Sequence, residues 1–209
     1  TNFIGGGLTY NTVNSILVNG GFIYDGTFNN VNLTLGGSVS NCTITNFTCD
    51  VYPLDRCNNS TITTATISKN ANFDGPNTFG TLNLTGAGAA YTFKSNATQT
   101  ITTALNVTGG TCSALVSLNS STPGTQATIS MVSGTSTINY VNLKDMKALG
   151  GATFTANNAI NSGNNTGWTI NLNTAKNYYW IGGTGNWTDG SHWSLTSGGA
   201  ASGCGPSVL

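Results

Sequence analysis

The only histidine, His192, directly follows Ser191 and stands three positions after Asp189. These are the residue types of a nucleophile, a base and an orienting acid. No nucleophile elbow surrounds Ser191, and a zinc site wants three or four His or Cys ligands. We read His192 as a polar cap in an aromatic turn. Asp50, Asp55 and Arg56 form a second grouping. Sugar-cleaving β-helix enzymes need clustered Asp with Lys or Arg to ionise a sugar or bind calcium. Here Cys49 and Cys57 bracket the cluster, which favours a stapled loop over a catalytic one. Gly5-Gly-Gly7 and Gly182-Gly-Thr-Gly185 lack the Lys-Ser/Thr ending of a phosphate loop and read as turns. The expectation is a chain without catalytic, metal or cofactor residues, and not an enzyme.

Five cysteines point to an oxidising compartment, with one thiol left over because the count is odd. The spacing suggests that Cys49 and Cys57 close the loop between them, with Cys42 competing for either. Such a bridge would contribute about 2 to 3 kcal/mol. Cys112 is expected to be a small buried thiol. Trp187 and Trp193 are candidates for stacking on sugar rings, although tryptophans in a dense aromatic stretch more often cap a core. Thr-x-Thr pairs at Thr43, Thr64 and Thr98 raise an ice-binding face. That face needs one pair per turn at constant offset, and these lie 21 and 34 positions apart.

The elements that must carry these residues are strands. Lys and Arg number 6, Asp and Glu 6, in 209 residues, far below the roughly 25% charged residues of an ordinary domain. Glutamate is absent, and the abundant Thr, Asn and Gly are poor helix formers. Short runs such as Val31-Asn-Leu-Thr-Leu35, Leu82-Asn-Leu-Thr85 and Leu105-Asn-Val-Thr108 alternate apolar and polar residues, the period of a half-buried strand. Gly-Gly, Ser-Gly and Asn-Asn turns separate them. Zero net charge without a basic run excludes nucleic acid as a partner. No apolar stretch approaches a membrane span, so no membrane insertion is expected. The eleven Asn-x-Ser/Thr sequons follow from composition alone.

Repetition sets the fold. Phe28-Asn-Asn-Val-Asn-Leu-Thr34 matches Phe79-Gly-Thr-Leu-Asn-Leu-Thr85 at an offset of 51, and Leu82 to Gly86 matches Leu105 to Gly109 at an offset of 23. An offset of 23 suits one turn of a three-sided parallel β-helix, and 51 two turns with an insertion. The expected fold is all-β, a right-handed parallel β-helix over residues 1–177 with a loop insertion at about 49–57. A pair of antiparallel β-sandwich modules is the alternative. Residues 178–209 hold three of the four tryptophans and read as an aromatic-rich junction leading into a next repeat.

One family shares this texture. Tyr140-Val-Asn-Leu-Lys-Asp145, Gly150-Gly-Ala-Thr-Phe154, Gly163-Asn-Asn-Thr-Gly-Trp168, Tyr179-Trp-Ile-Gly-Gly-Thr-Gly-Asn-Trp187 and His192-Trp193 resemble repeat modules of giant Bacteroidetes cell-surface proteins. Those include gliding-motility adhesins exported by the type IX secretion system. The likeness covers residues 79–204 by motif and 1–78 by texture, and the carboxy-terminal sorting domain of that export route is not seen. It implies an extracellular stalk or filament that mediates attachment, with neighbouring repeats of the same chain and surface polysaccharides as partners. A carbohydrate-active β-helix is the second reading and an ice-binding solenoid the third.

Overall fold

One seven-residue pattern governs the first half of the chain: Thr27 to Leu33, Thr43 to Cys49, Thr61 to Ile67 and Thr78 to Leu84. Each opens on Thr and an apolar residue, continues with two small or polar residues, and closes apolar, Asn or Thr, apolar. In the structure, a computed structural model describing residues 2–4, 7–8, 13–51, 53–173 and 176–205, each repeat is a strand that buries its three apolar positions. Two consecutive outward residues, such as Asn29 and Asn30, interrupt strict alternation. A pleated strand permits that only by bending, so each long strand turns a corner at its middle.

These strands pair in parallel with every repeat in register: Thr27 on Thr43, Thr43 on Thr61, Thr61 on Thr78, and Thr78 on Thr100. Among the described residues, nine strands from Asn2–Ile4 to Met146–Leu149 form this sheet. A second sheet gathers the shorter strands from Gly7–Leu8 to Thr153–Asn161. Together they wind a parallel β-solenoid of about nine turns. Parallel pairing through residues 79–109 rules out the antiparallel sandwich for this region.

The repeat arithmetic needs one correction. The offset of 23 does join adjacent turns, with Leu82 on Leu105 and Leu84 on Val107. The offset of 51 spans three turns, not two, because Phe28, Ile44, Ile62 and Phe79 stack one above another. Turns starting at Thr27, Thr43 and Thr61 are 16, 18 and 17 positions long. The segment at 49–57 is therefore an ordinary connection and not an insertion: Cys49 ends the strand Thr43–Cys49 and Cys57 lies within Leu54–Asn58.

Stacking builds the core in columns. Val31, Leu33, Leu82, Leu84, Leu105 and Val107 are all buried in one cluster, and each such side chain contributes about 1.5 to 3 kcal/mol on leaving water. Phe73 lies flat on Phe93 at 4.7 Å and meets Phe79 edge-on at 5.8 Å. Buried Tyr91 keeps its hydroxyl satisfied, donating to the Ile67 carbonyl at 2.8 Å and accepting from the Gly86 N–H at 3.0 Å.

One inward column is polar. The position before Thr43, Thr61, Thr78 and Thr100 holds Cys42, Ser60, Asn77 and Gln99 in successive turns, all buried. Asn77 Nδ2 donates to Gln99 Oε1 at 2.9 Å and to the Gly75 carbonyl at 3.1 Å, while its Oδ1 accepts from the Ser60 N–H at 3.0 Å. Gln99 Nε2 donates to the same Gly75 carbonyl at 2.8 Å, and Ser60 Oγ accepts from the Cys42 N–H at 3.2 Å. The ladder supplies partners to backbone groups that the corner turns away from the sheets.

Outside, asparagines repeat the device. Asn46 donates to Asn30 at 3.0 Å, Asn106 to Asn83 at 2.9 Å, and Asn41 to Asp25 at 3.0 Å. Several sequon asparagines thus have a structural use, bonding from turn to turn. Asp25, Asn41 and Asn59 take positive φ of 52°, 54° and 47° two residues before the leading threonines of three successive turns, a conformation that Asn and Asp tolerate best after Gly.

Replacing Asn77 by Ala leaves the Ser60 N–H and Gln99 Oε1 without these partners. Urea unfolding should show a loss of about 2 to 4 kcal/mol, against less than about 0.5 kcal/mol for Thr61→Ala on the exposed column. Equal effects of the two substitutions would contradict the ladder's role.

Candidate functional site

After the last solenoid strand, Thr169–Leu172, the chain builds a small aromatic module. Tyr179–Trp180 pairs antiparallel with Trp193–Ser194, and a single 3-10 turn at Gly190–His192 sits between. Trp193 is the hub, only 4% exposed. Trp187 and Trp180 meet it edge-on at 4.5 and 5.1 Å, Tyr178 does so at 6.3 Å, and its indole N–H donates to the Trp187 carbonyl at 2.8 Å. The stacking expectation is therefore corrected for Trp193, whose ring is packed on its neighbours. Trp187 is 62% exposed and borders a cleft of about 440 Å³ with Lys176, Asn177, Tyr178 and Tyr179.

His192 lies parallel to Trp180 at 4.8 Å, with Nδ1 2.9 Å from the Gly182 carbonyl. Asp189 caps the 3-10 turn by accepting from the Ser191 N–H at 2.9 Å and stands 3.8 Å from His192 Nε2. The Ser191 side-chain and backbone donors hold its carboxyl below the usual range. The three residues form a capped turn beneath an indole, in keeping with the polar-cap reading. Arg56 pairs with Asp74 at 2.6 Å. Among the described residues no group of three or more His, Cys, Asp or Glu is placed to hold a metal ion.

The cysteines overturn the expected pairing. Cys112 and Cys204, 92 positions apart, are joined in a disulfide, while Cys42, Cys49 and Cys57 are buried thiols. Cys49 points inward from the long-strand sheet between Leu33 and Ile67. Cys57 belongs to the other sheet, beside Val39 and Phe73, so residues eight apart in sequence are held on different walls of the core. Cys42 donates to the Ser40 carbonyl at 3.1 Å. Burial pushes all three thiols up, Cys49 to about 12 with the Asp50 and Asp55 charges adding to it. They are correspondingly unreactive. The disulfide fits an oxidising compartment and ties the aromatic module to the solenoid turn at Thr111–Ala114.

The threonines stack more regularly than their sequence offsets imply. Thr27, Thr43, Thr61, Thr78 and Thr100 form one outward column. The column two residues on holds Asn29, Thr45, Thr63 and Gly80, so the paired array of an ice-binding face is interrupted. Among the described residues no helix is long and apolar enough to cross a membrane.

Near the far end of the coil Asp145, 3% exposed, accepts from Asn164 Nδ2 at 2.7 Å and from the Gly124 N–H at 3.1 Å. These two donors hold its carboxyl below the usual range.

No family model matches this chain, and no curated protein or solved structure does so either.

Two measurements test these assignments. Alkylation of denatured, unreduced protein should label Cys42, Cys49 and Cys57 and recover one linked peptide pair containing Cys112 and Cys204. The folded protein should resist labelling. For Asp145 the folded pKa is depressed, so its stabilisation is present above the unfolded carboxylate value of about 3.9 and is lost as pH falls through the folded value. Thermal melts of Asp145→Asn should depend less on pH below about 4 than those of the parent; identical acid limbs would remove Asp145 from the account.

Proposed function

We propose that this chain is a non-enzymatic structural and adhesive segment of a large repetitive protein at the cell surface. It presents long neutral faces to neighbouring repeats and to surface polysaccharides. The observation that carries the reading is the outer surface of the coil: stacked Thr, Asn and Ser columns whose side chains bond from turn to turn. Such a face resists local opening and offers many similar weak contacts along its length. Summed over linked copies, these give strong attachment without a strong single site. The Cys112–Cys204 disulfide supports an extracellular setting, and the resemblance to giant surface adhesins points the same way.

A carbohydrate-cleaving β-helix is less well supported. It requires carboxylates poised by neighbours, but Arg56, the one arginine, is bound to Asp74.

Attachment to polysaccharide-coated surfaces should be at least about 100-fold tighter for tandem copies than for one segment. No release of reducing sugar should accompany it. Full-strength attachment by a single copy would refute the multivalent reading. Turnover of a glycan abolished by Asp50→Ala or Asp55→Ala would refute the non-enzymatic one.

A further inference from the structure

The strand Phe22–Tyr24 places Ile23 in the core and turns both aromatics outward, Phe22 58% and Tyr24 39% exposed. Other large apolar side chains also reach the surface, among them Leu35, Val51 and Val132, but here two aromatic rings stand side by side on one outward strand face and border a concave surface. Their register neighbours are small: Ser38 beside Phe22 and Ser40 beside Tyr24. One strand further the same two columns hold Arg56 and Asn58. The result is a trough with an aromatic wall, a serine floor and a polar wall, enclosing about 300 Å³. The walls stand two strand spacings apart, roughly 9.5 Å between backbones.

We infer that this trough is a binding site for a neutral saccharide, with Phe22 and Tyr24 as the stacking platform and Arg56 and Asn58 as the hydrogen-bonding wall. The chemistry selects the class. An apolar ligand would cover the guanidinium and the Asn58 amide while offering neither a hydrogen bond. An anionic one would find the Arg56 charge already offset by Asp74 at 2.6 Å, and no lysine lines the trough. A neutral polyol suits both walls: its C–H face packs on the rings, while its hydroxyls donate to the Asn58 amide oxygen and accept from the Arg56 guanidinium. Asp74 leaves the pair net neutral, so binding should vary little with salt. The trough differs from the Trp187 cleft in being built on paired strands, which hold side chains more rigidly than a loop-rich module does.

The inference rests on the adhesive reading for its biological purpose but is tested apart from it. A single isotope-labelled segment is titrated with short neutral glucans, mannans and galactans, followed by backbone amide shifts. One of these should move residues 22–24, 38–40 and 56–58 with a Kd on the order of 1 mM. Phe22→Ala and Arg56→Ala should each weaken binding by about fivefold or more, whereas Trp187→Ala leaves it unchanged. Melting temperatures equal to the parent's show that these exposed substitutions keep the fold. Shifts centred on Tyr179 and Trp187, preference for a uronate oligomer, or no shifts with any of the three glycans would overturn the inference. If the trough is silent while tandem copies still attach, the site fails and the adhesive reading stands. If the trough binds while tandem copies do not attach, the reverse holds.

Discussion

In a coil of parallel strands each side chain sits about 4.8 Å from the residue at the same position one turn earlier. Whatever occupies a position must therefore tolerate a near copy of itself above and below. Apolar side chains meet this requirement by packing, and the columns through Phe28, Ile44, Ile62, Phe79 and Ile101 do so. Amides and hydroxyls meet it by donating to one neighbouring turn and accepting from the other: outside, Asn46 donates back to Asn30, and inside, Asn77 donates onward to Gln99. Glycines meet it where backbones close together: Gly37, at φ 131°, lies so close over Gly21 that a Cβ there would strike the Gly21 carbonyl.

Charge cannot meet it. Two like charges one strand spacing apart repel by roughly 0.8 kcal/mol even in water-like surroundings, and the penalty recurs at every turn. The composition follows from this constraint. Where a charged side chain does occur on a paired strand, its register neighbour is neutral: Arg56 beside Ser38, Lys144 beside Asn119, Lys147 beside Thr128. The low charge that first separates this sequence from ordinary domains is thus a consequence of stacking, independent of any ligand.

Much of the architecture was legible because stacking writes itself into sequence as repetition. Leu82 and Leu105 occupy adjacent turns as their shared motif implies. The shorter turn was obscured because side chains in the Thr-led repeat vary from Phe to Ile and from Asn to Thr to Gly, and the repeats recur at unequal intervals of 16, 18 and 17 positions. The cysteine pairing was not legible at all. A solenoid sends residues eight apart to opposite sheets, as with Cys49 and Cys57, and sequence proximity is then a poor guide to spatial proximity. The aromatic trough left a signal, Phe-Ile-Tyr at 22–24 alternating outward, inward, outward. Its polar wall could be placed only once the register of Arg56 against Ser38 was known.

The aromatic module answers a difficulty that solenoids create. Each turn is stabilised mainly by its immediate neighbours, so a segment that leaves the coil loses that support. About 30 residues are too few to bury a sufficient core unaided, and a single two-residue antiparallel pair, Tyr179–Trp180 with Trp193–Ser194, cannot stand alone in water. Two features compensate. Aromatic edges packed around Trp193 concentrate apolar area on few residues, and the bond from Cys204 to Cys112 fixes the module to a turn of the coil. A tie spanning 92 positions also restricts the unfolded chain far more than a bridge across eight would. It joins the least supported part of the molecule to a turn that draws its stability from the stack.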